Sequence, residues 1–289
     1  MTDQTIYLNG QFMPLAQARV PVLDRGFIFG DGVYEVIPAY SRHPFRLAAH
    51  LRRLQGSLDA IRLSNPHTDD QWSQLIERLI EQNAWDDQSI YLHVTRGVAP
   101  RDHAFPKDIA PTVFMMSNAM TYPPRDQVDN GVGAVTAVDN RWLRCDIKAV
   151  SLLPNVLLRQ LAVDAGCAEA VMLRDGFLTE GAASNIFVVR SNILLAPPKS
   201  HLMLPGITYD VVLELAEADG IAIDIRDVPE TELRNADELW LSSSTREVLA
   251  ITRLDGNPVG DGKPGAMFRR MYRRYQDYKT RTMRVASDA

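Results

Sequence analysis

Leu47, Leu51, Leu54, Leu58 and Ile61 recur at helical spacing, and that stripe commits one stretch of the chain to a helix that must bury a face. The neighbouring segments supply the surface. Upstream, TIYLNGQFMP alternates about Asn9-Gly10, a tight hairpin turn. Val33–Tyr40 reads as a strand bent at its entry by Gly30-Asp31-Gly32, with Tyr34 and Val36 on one side and Glu35 and Ile37 on the other. Downstream, Thr68 and Gln71 have capping-box spacing ahead of a second helix that buries Trp72, Leu75, Ile76, Leu79 and Ile80. Two strands follow, SIYLHVTRG and PTVFMMS, separated by the loop APRDHAFPKDIA. Helices among strands in this order predict an α+β domain over residues 1–118.

Residues 119–130 include TYPPRDQVDN, whose two prolines among polar residues predict a linker. A second α/β domain is expected over 131–289, since 289 residues exceed the usual extent of one core. Its first strand is Gly131–Val138. The stretch RWLRCDIK, Arg141 to Lys148, reads as a strand exit ahead of the helix SLLPNVLLRQLAVDAG. EAVMLR and the segment from Phe177 flank an Asp175-Gly176 turn, and NIFVVR, ILLAP and IAIDIRD read as further strands. MLPGITYDVVLELAEADG reads as a helix opened at Gly206 and stopped at Gly220. DELWLSSSTREV is a strand entering a hydroxyl-rich loop, and a final helix from about Gly265 shows Phe268, Met271, Tyr272 and Tyr275 on one side.

Charge and motif content remove several classes of function. Lys+Arg 31 against Asp+Glu 36 gives a net charge of -5, which argues against a general nucleic-acid grip. No apolar run has the length to span a bilayer, and the first residues lack the pattern of a signal peptide. The expectation is a cytoplasmic globular protein without nucleic-acid or membrane partners. Its two cysteines, Cys145 and Cys167, form no disulfide framework. The six histidines show no metal-ligand spacing, GDGKPG is not a phosphate-binding P-loop, and H-E-x-x-H and G-x-S-x-G are absent.

What remains suits a phosphorylated cofactor. The amine of Lys148 can condense with a carbonyl and make it more electrophilic. Phosphate calls for backbone N–H groups at a helix start, hydroxyls and a guanidinium. Gly206, Ile207 and Thr208 offer the first, Ser243, Ser244 and Thr245 the second, and Arg53 the third. Singly, each has a plainer reading: turn residues, a flank of a helix stripe, a surface lysine. Glu180 alone reads as a surface acid, and Cys145 as a small buried residue.

Taken in order along the chain, DRGFIFGDGVYEV, HLRRL, VTRGVAPRDHAFP, RWLRCDIK, TEGAASN, GIT and SSSTREV resemble the fold-type IV pyridoxal-phosphate enzymes, in particular their D-amino-acid aminotransferase branch. The resemblance implies two α/β domains with pyridoxal 5'-phosphate between them, in a homodimer. It implies that Lys148 holds the cofactor and acts as the base, and that Glu180 faces the ring nitrogen. Arg53, Leu204, Gly206, Ile207, Thr208, Ser243 and Ser244 are then cofactor-binding, and Arg141 touches the ring hydroxyl. Tyr34, Arg101 and His103 are implied to hold the substrate carboxylate, the latter two reaching across from the partner subunit. The implied reaction moves an amino group from a D-amino acid to a 2-oxo acid. Branched-chain aminotransferases and aminodeoxychorismate lyases share the general motifs but differ around RGVAPRDHAFP. A pyridoxal-phosphate carrier or regulatory homologue without turnover is the non-enzyme alternative. GAAS, where serine-rich variants are common, and Pro205 before GIT depart mildly from the pattern.

Overall fold

Residues 4–285 are described by a computed structural model. Backbone contacts divide the chain into two units. The first is Met1–Thr121 with Ile147–Ser151 and Arg281–Ala289; the second is Tyr122–Asp146 with Leu152–Thr280. Residues 1–3 and 286–289, the outer ends of the two expected domains, lie outside the described residues.

In the first unit, β1 (Thr5–Leu8) and β2 (Gln11–Pro14) make the hairpin about Asn9-Gly10. They are followed by α1 (Arg25–Phe29), β3 (Gly32–Tyr40), β4 (His43–Pro44), α2 (Leu47–Ala60), α3 (Asp69–Glu81), β5 (Gln88–Thr95) and β6 (Thr112–Ala119). The strands form one antiparallel sheet in the order β2-β1-β6-β5-β3-β4. Helices α2 and α3 bury their stripes in a core with one face of that sheet: Leu51, Leu54, Leu58, Trp72, Ile76 and Leu79 join Ile37, Ile90, Leu92 and Met115. Thr68 and Gln71 complete the reciprocal cap that starts α3. Alternation turns Tyr34, Tyr91, His93 and Phe114 to the opposite face, with Tyr34 opposite His93 and His93 opposite Phe114. Helix α1 lies where the sequence pattern predicts none. Asp24 caps it by accepting from the Gly26 amide at 2.8 Å, and Gly30 ends it at φ 65°.

The second unit contains α4 (Arg125–Asn130), β7 (Val132–Val138), α5 (Leu153–Asp164), β8 (Glu169–Arg174), β9 (Phe177–Gly181), β10 (Asn185–Arg190), β11 (Ile193–Ala196) and α6 (Ile207–Ala218). It continues with β12 (Ala222–Ile225), α7 (Glu230–Arg234), β13 (Glu238–Ser243), β14 (Glu247–Leu254), β15 (Asn257–Pro258) and α8 (Ala266–Tyr278). A nine-stranded sheet runs β12-β11-β10-β13-β14-β7-β8-β9, with β15 on β14. The β11/β12, β14/β7 and β7/β8 pairs are parallel. Its core gathers Ile186, Val188, Leu195, Leu239, Leu241, Leu249 and Ile251.

Four local expectations differ from the structure. RWLRCDIK is not a strand: its Arg141 pairs with Asp139, just before the stretch, and its Arg144 with Asp146, each two positions away, and such side-chain bonds compete with a ladder. The linker carries the short helix α4, in which Arg125 pairs with Asp129 one turn on. The hydroxyl-rich loop is a tight turn joining β13 to β14. Finally, Ile147–Ser151 belongs with the first unit, although the sequence pattern predicts one domain from 131 onward. The reason is local: Ala149 bridges Val33, and Ile147 and Ala149 enter the α2/α3 core.

Candidate active site

Lys148 is fastened at its backbone on both sides. Its amide donates to Ser57 Oγ on α2 at 3.2 Å, and its carbonyl accepts from the Tyr34 amide on β3 at 2.9 Å. Its side chain is buried, with Nζ 4.2 Å from the centre of the Tyr34 ring. Lysine amine and tyrosine ring therefore lie against one another at the start of β3. On that face Tyr34 packs against Tyr91 at 5.6 Å, and the Tyr91 hydroxyl meets His93 Nδ1 at 3.0 Å.

Beneath Tyr34, on the other side of β3, Glu35 is buried completely. Arg53 donates to it through Nε at 2.8 Å and Nη2 at 2.7 Å, and His50 Nδ1 lies 2.8 Å away. Burial works to raise this carboxyl, but Arg53 and His50 overcome it and hold it at about 2. Burial keeps His50 below the usual imidazole range. Sequence periodicity places Arg53 beside the α2 stripe without revealing Glu35 or His50 as its partners. The legible signal was Glu35 on the apolar face of a strand, opposite a helix bearing His50 and Arg53.

Arg101 and His103 pack side by side on Phe29, with the Arg101 guanidinium 5.5 Å and the His103 ring 5.3 Å from its centre. Their loop is held from behind by Arg25, which donates to the Asp102 carbonyl at 2.5 Å and to Asp31 at 2.8 Å. Arg96 shares Asp31. Sequence reasoning missed this Arg25–Asp31–Arg96 group, whose two arginines are buried. Its trace was the repeated Arg-Gly: Gly26 has no room for a Cβ, which would fall 2.3 Å from Thr95 Cγ2.

In the second unit, Glu180 is buried at the end of β9. It accepts from Arg141 Nη1 at 2.5 Å, the Leu204 amide at 3.1 Å and Asn185 Nδ2 at 3.4 Å. Burial pushes its carboxyl up to about 7 in spite of Arg141. Arg141 is shared with Asp139, which is itself held at about 2 because the hydrogen bonds and charge of Arg141, with the Thr179 hydroxyl, outweigh burial. Cys145 is buried nearby, which drives its thiol up to about 11.

The residues implied to bind phosphate in this unit lie on α6 and the β13–β14 turn. Gly206 caps α6 without a side chain, so the first-turn N–H groups meet no capping oxygen from it. A Cβ on Gly206 would fall 2.0 Å from Asn185 Oδ1, so a larger residue there would displace the Asn185 side chain. Ser243 and Ser244 sit at the turn, and beside them the buried Ser242 hydroxyl has no partner among the described residues. Helix N–H groups and hydroxyls are donors of the kind a phosphate takes. A buried carboxylate near neutrality suits a cationic ring N–H. The residues present therefore fit pyridoxal phosphate.

Residues 32–254 match the family model for amino-transferase class IV. A D-alanine aminotransferase of Bacillus licheniformis is 40% identical over 262 residues, covering 91% of this chain and 92% of its own length. One from Staphylococcus epidermidis is 36% identical over 273 residues, covering 94% and 97%. Among solved structures, a branched-chain amino acid aminotransferase of Escherichia coli superposes with a TM-score of 0.88 at 25% identity, over 94% of this chain and 93% of that one. A branched-chain enzyme from T.th., solved with pyridoxamine 5'-phosphate, reaches 0.89 at 25% identity, over 96% and 94%. The lysine, the buried glutamate and the glycine-capped helix thus sit in a chain whose matched region runs through both units, and the protein belongs to the class IV aminotransferases, the pyridoxal-phosphate enzymes of fold type IV.

Proposed function

We propose that this aminotransferase takes the amino group of a D-amino acid such as D-alanine and passes it to a 2-oxo acid such as 2-oxoglutarate. The observation that carries the reading is Lys148 Nζ held against Tyr34, on a chain 40% identical to a D-alanine aminotransferase. Branched-chain enzymes share the fold at 25% identity, which supports that alternative less well.

Bound pyridoxal phosphate supplies an aldehyde for the amino group and a ring that accepts the electron pair left when the Cα proton departs. The chain's residues do the rest. Lys148 Nζ would hold the cofactor and would also be the base that takes the Cα proton and returns it. Glu180 keeps a proton on the ring nitrogen, since a carboxylate beside a cationic N–H favours the charged form. Gly206, Ile207, Thr208, Ser243 and Ser244 would receive the phosphate, and Arg53 is the guanidinium proposed for it. Leu204 contributes its amide to Glu180, and Arg141 steadies the same carboxylate. Tyr34, Arg101 and His103 hold the substrate carboxylate, so that the Cα–H of a D-isomer is the one presented to Lys148.

A homodimer is part of this proposal. Leu153, Val156, Leu157 and Leu161 expose an apolar face along α5, and Trp142 and Leu143 are exposed too. Among the described residues no helix is long and apolar enough to cross a membrane, so that face suits a second copy. Leu157→Asp should shift the protein toward monomer in sedimentation.

Parallel assays with D- and L-alanine and 2-oxoglutarate test the function. Turnover with the D-isomer is expected, and a preference for the L-isomer would rule the reading out. Lys148→Ala should lower transamination by orders of magnitude. Arg101→Ala should raise KM for D-alanine at least tenfold, from the loss of about 1.5–3 kcal/mol in one charged contact.

A further inference from the structure

Four charged groups stand in alternating order in the second unit: Arg174, Asp139, Arg141, Glu180. Asp139 lies just past β7, with its carboxylate buried. Its Oδ1 accepts from Arg141 Nε at 2.9 Å and pairs with Arg174 Nη2 at 3.0 Å, while its Oδ2 accepts from Arg141 Nη2 and the Thr179 hydroxyl, both at 2.9 Å. Arg141 thus gives Asp139 a two-pronged contact and reaches Glu180 through Nη1 alone. Arg174 is the outer anchor, and it also donates to the Arg141 carbonyl at 2.9 Å. Thr179 precedes Glu180 on β9, so the same carboxylate fixes both the strand that carries Glu180 and the cation that faces it.

We propose that Asp139 is a positioning residue for the transamination: by holding two of the Arg141 N–H groups it confines that guanidinium to a single contact with Glu180, and so keeps the Glu180 carboxylate open to a cationic ring N–H. The proposal rests on the reading of Glu180 as the ring-nitrogen partner. A planar guanidinium satisfies one carboxylate bidentately when nothing competes for its fork. With Asp139 in place, the fork is already occupied. Without it, Arg141 would turn fully onto Glu180, whose proton affinity would fall and whose outer lone pairs would be spent on arginine. The charged and titratable groups about Glu180 are Arg141, Asp139, Arg174 and Cys145.

Asp139→Asn keeps the side-chain shape and removes the competing charge. Its test is the titration of Glu180 in the ligand-free full-length protein, followed by carbon-13 NMR of labelled glutamate, the resonance being assigned by its loss in Glu180→Gln. The Glu180 midpoint should fall in Asp139→Asn, through loss of the Asp139 charge that raises it and through the turn of Arg141 onto Glu180. A merely structural role would let Arg141 drift away, and the midpoint would then rise; a rise or no change overturns the proposal. Should Asp139→Asn not fold, Arg174→Gln serves instead. Losing its outer cation turns Asp139 more fully onto Arg141 and should raise the Glu180 midpoint, so an unmoved midpoint is again fatal. In the cofactor-loaded enzyme, Asp139→Asn should lower kcat about tenfold with KM for D-alanine nearly unchanged. Full activity in Glu180→Gln would instead sink the reading of Glu180 and leave the Asp139 titration to stand on its own.

Discussion

Glu35 and Glu180 are both buried and both face an arginine, yet the first is held down at about 2 and the second rises to about 7. Desolvation acts on both alike. The difference is in how much of a guanidinium each receives. Arg53 gives Glu35 two N–H groups, and His50 adds a third contact. Arg141 gives Glu180 one, because Asp139 takes the rest. A buried carboxyl is thus set by the competition around its partner more than by its own depth. The contrast fits two tasks: a fixed cation under Lys148 and Tyr34, and a carboxyl at Glu180 poised to share a proton.

The largest expected effect comes from Glu35→Gln, which strands Arg53 in the interior. Loss of one partner of a buried pair costs about 3–5 kcal/mol, readable by urea unfolding at neutral pH. Next is the pH dependence of stability. Glu35 has a folded value below its ordinary 4.5, so its contribution is present above that pH and lost as pH falls toward 2. Glu180 has a folded value above 4.5, so its contribution is full below that pH and lost as pH rises through 7. Each shift corresponds to about 3 kcal/mol over its window. Glu35→Gln should flatten the acid limb and Glu180→Gln the limb between 4.5 and 7; the same limb flattening in both variants would break the comparison. Third, Glu180→Gln should cut turnover on the order of 10²-fold, about 2.7 kcal/mol, with little loss of stability at neutral pH. The smallest effect belongs to Arg53→Lys. It replaces the fork with a single point charge, makes Glu35 resemble Glu180, and should raise its midpoint at a cost of about 1 kcal/mol.

Local order was legible in the sequence because local periodicity creates it. The α2 stripe, the Thr68 cap and the Asn9-Gly10 hairpin each depend on neighbours a few residues away. The residue types suited to a cofactor were legible too, in Lys148, Glu180 and Gly206. The buried charges that set their chemistry were not. Glu35 meets Arg53 across 18 positions, Arg141 meets Glu180 across 39, and Arg25 reaches Asp102 across 77. No sequence window holds both members of such pairs. RWLRCDIK misled for the opposite reason, since its short-range Arg–Asp pairs take the place of the ladder that its position after β7 suggested.

The first unit is assembled from three separate stretches of chain, and that bears on how it can be made. Ile147 and Ala149 fill its core, and Arg284 pairs with Asp87 from 197 positions away. A ribosome that has released only the first 121 residues has therefore delivered a sheet and three helices without Ile147 and Ala149, which complete their core. The last of these contacts waits for Arg284. Until then the nascent chain carries exposed apolar surface, and a fragment cut at Thr121 should behave as a client for chaperones.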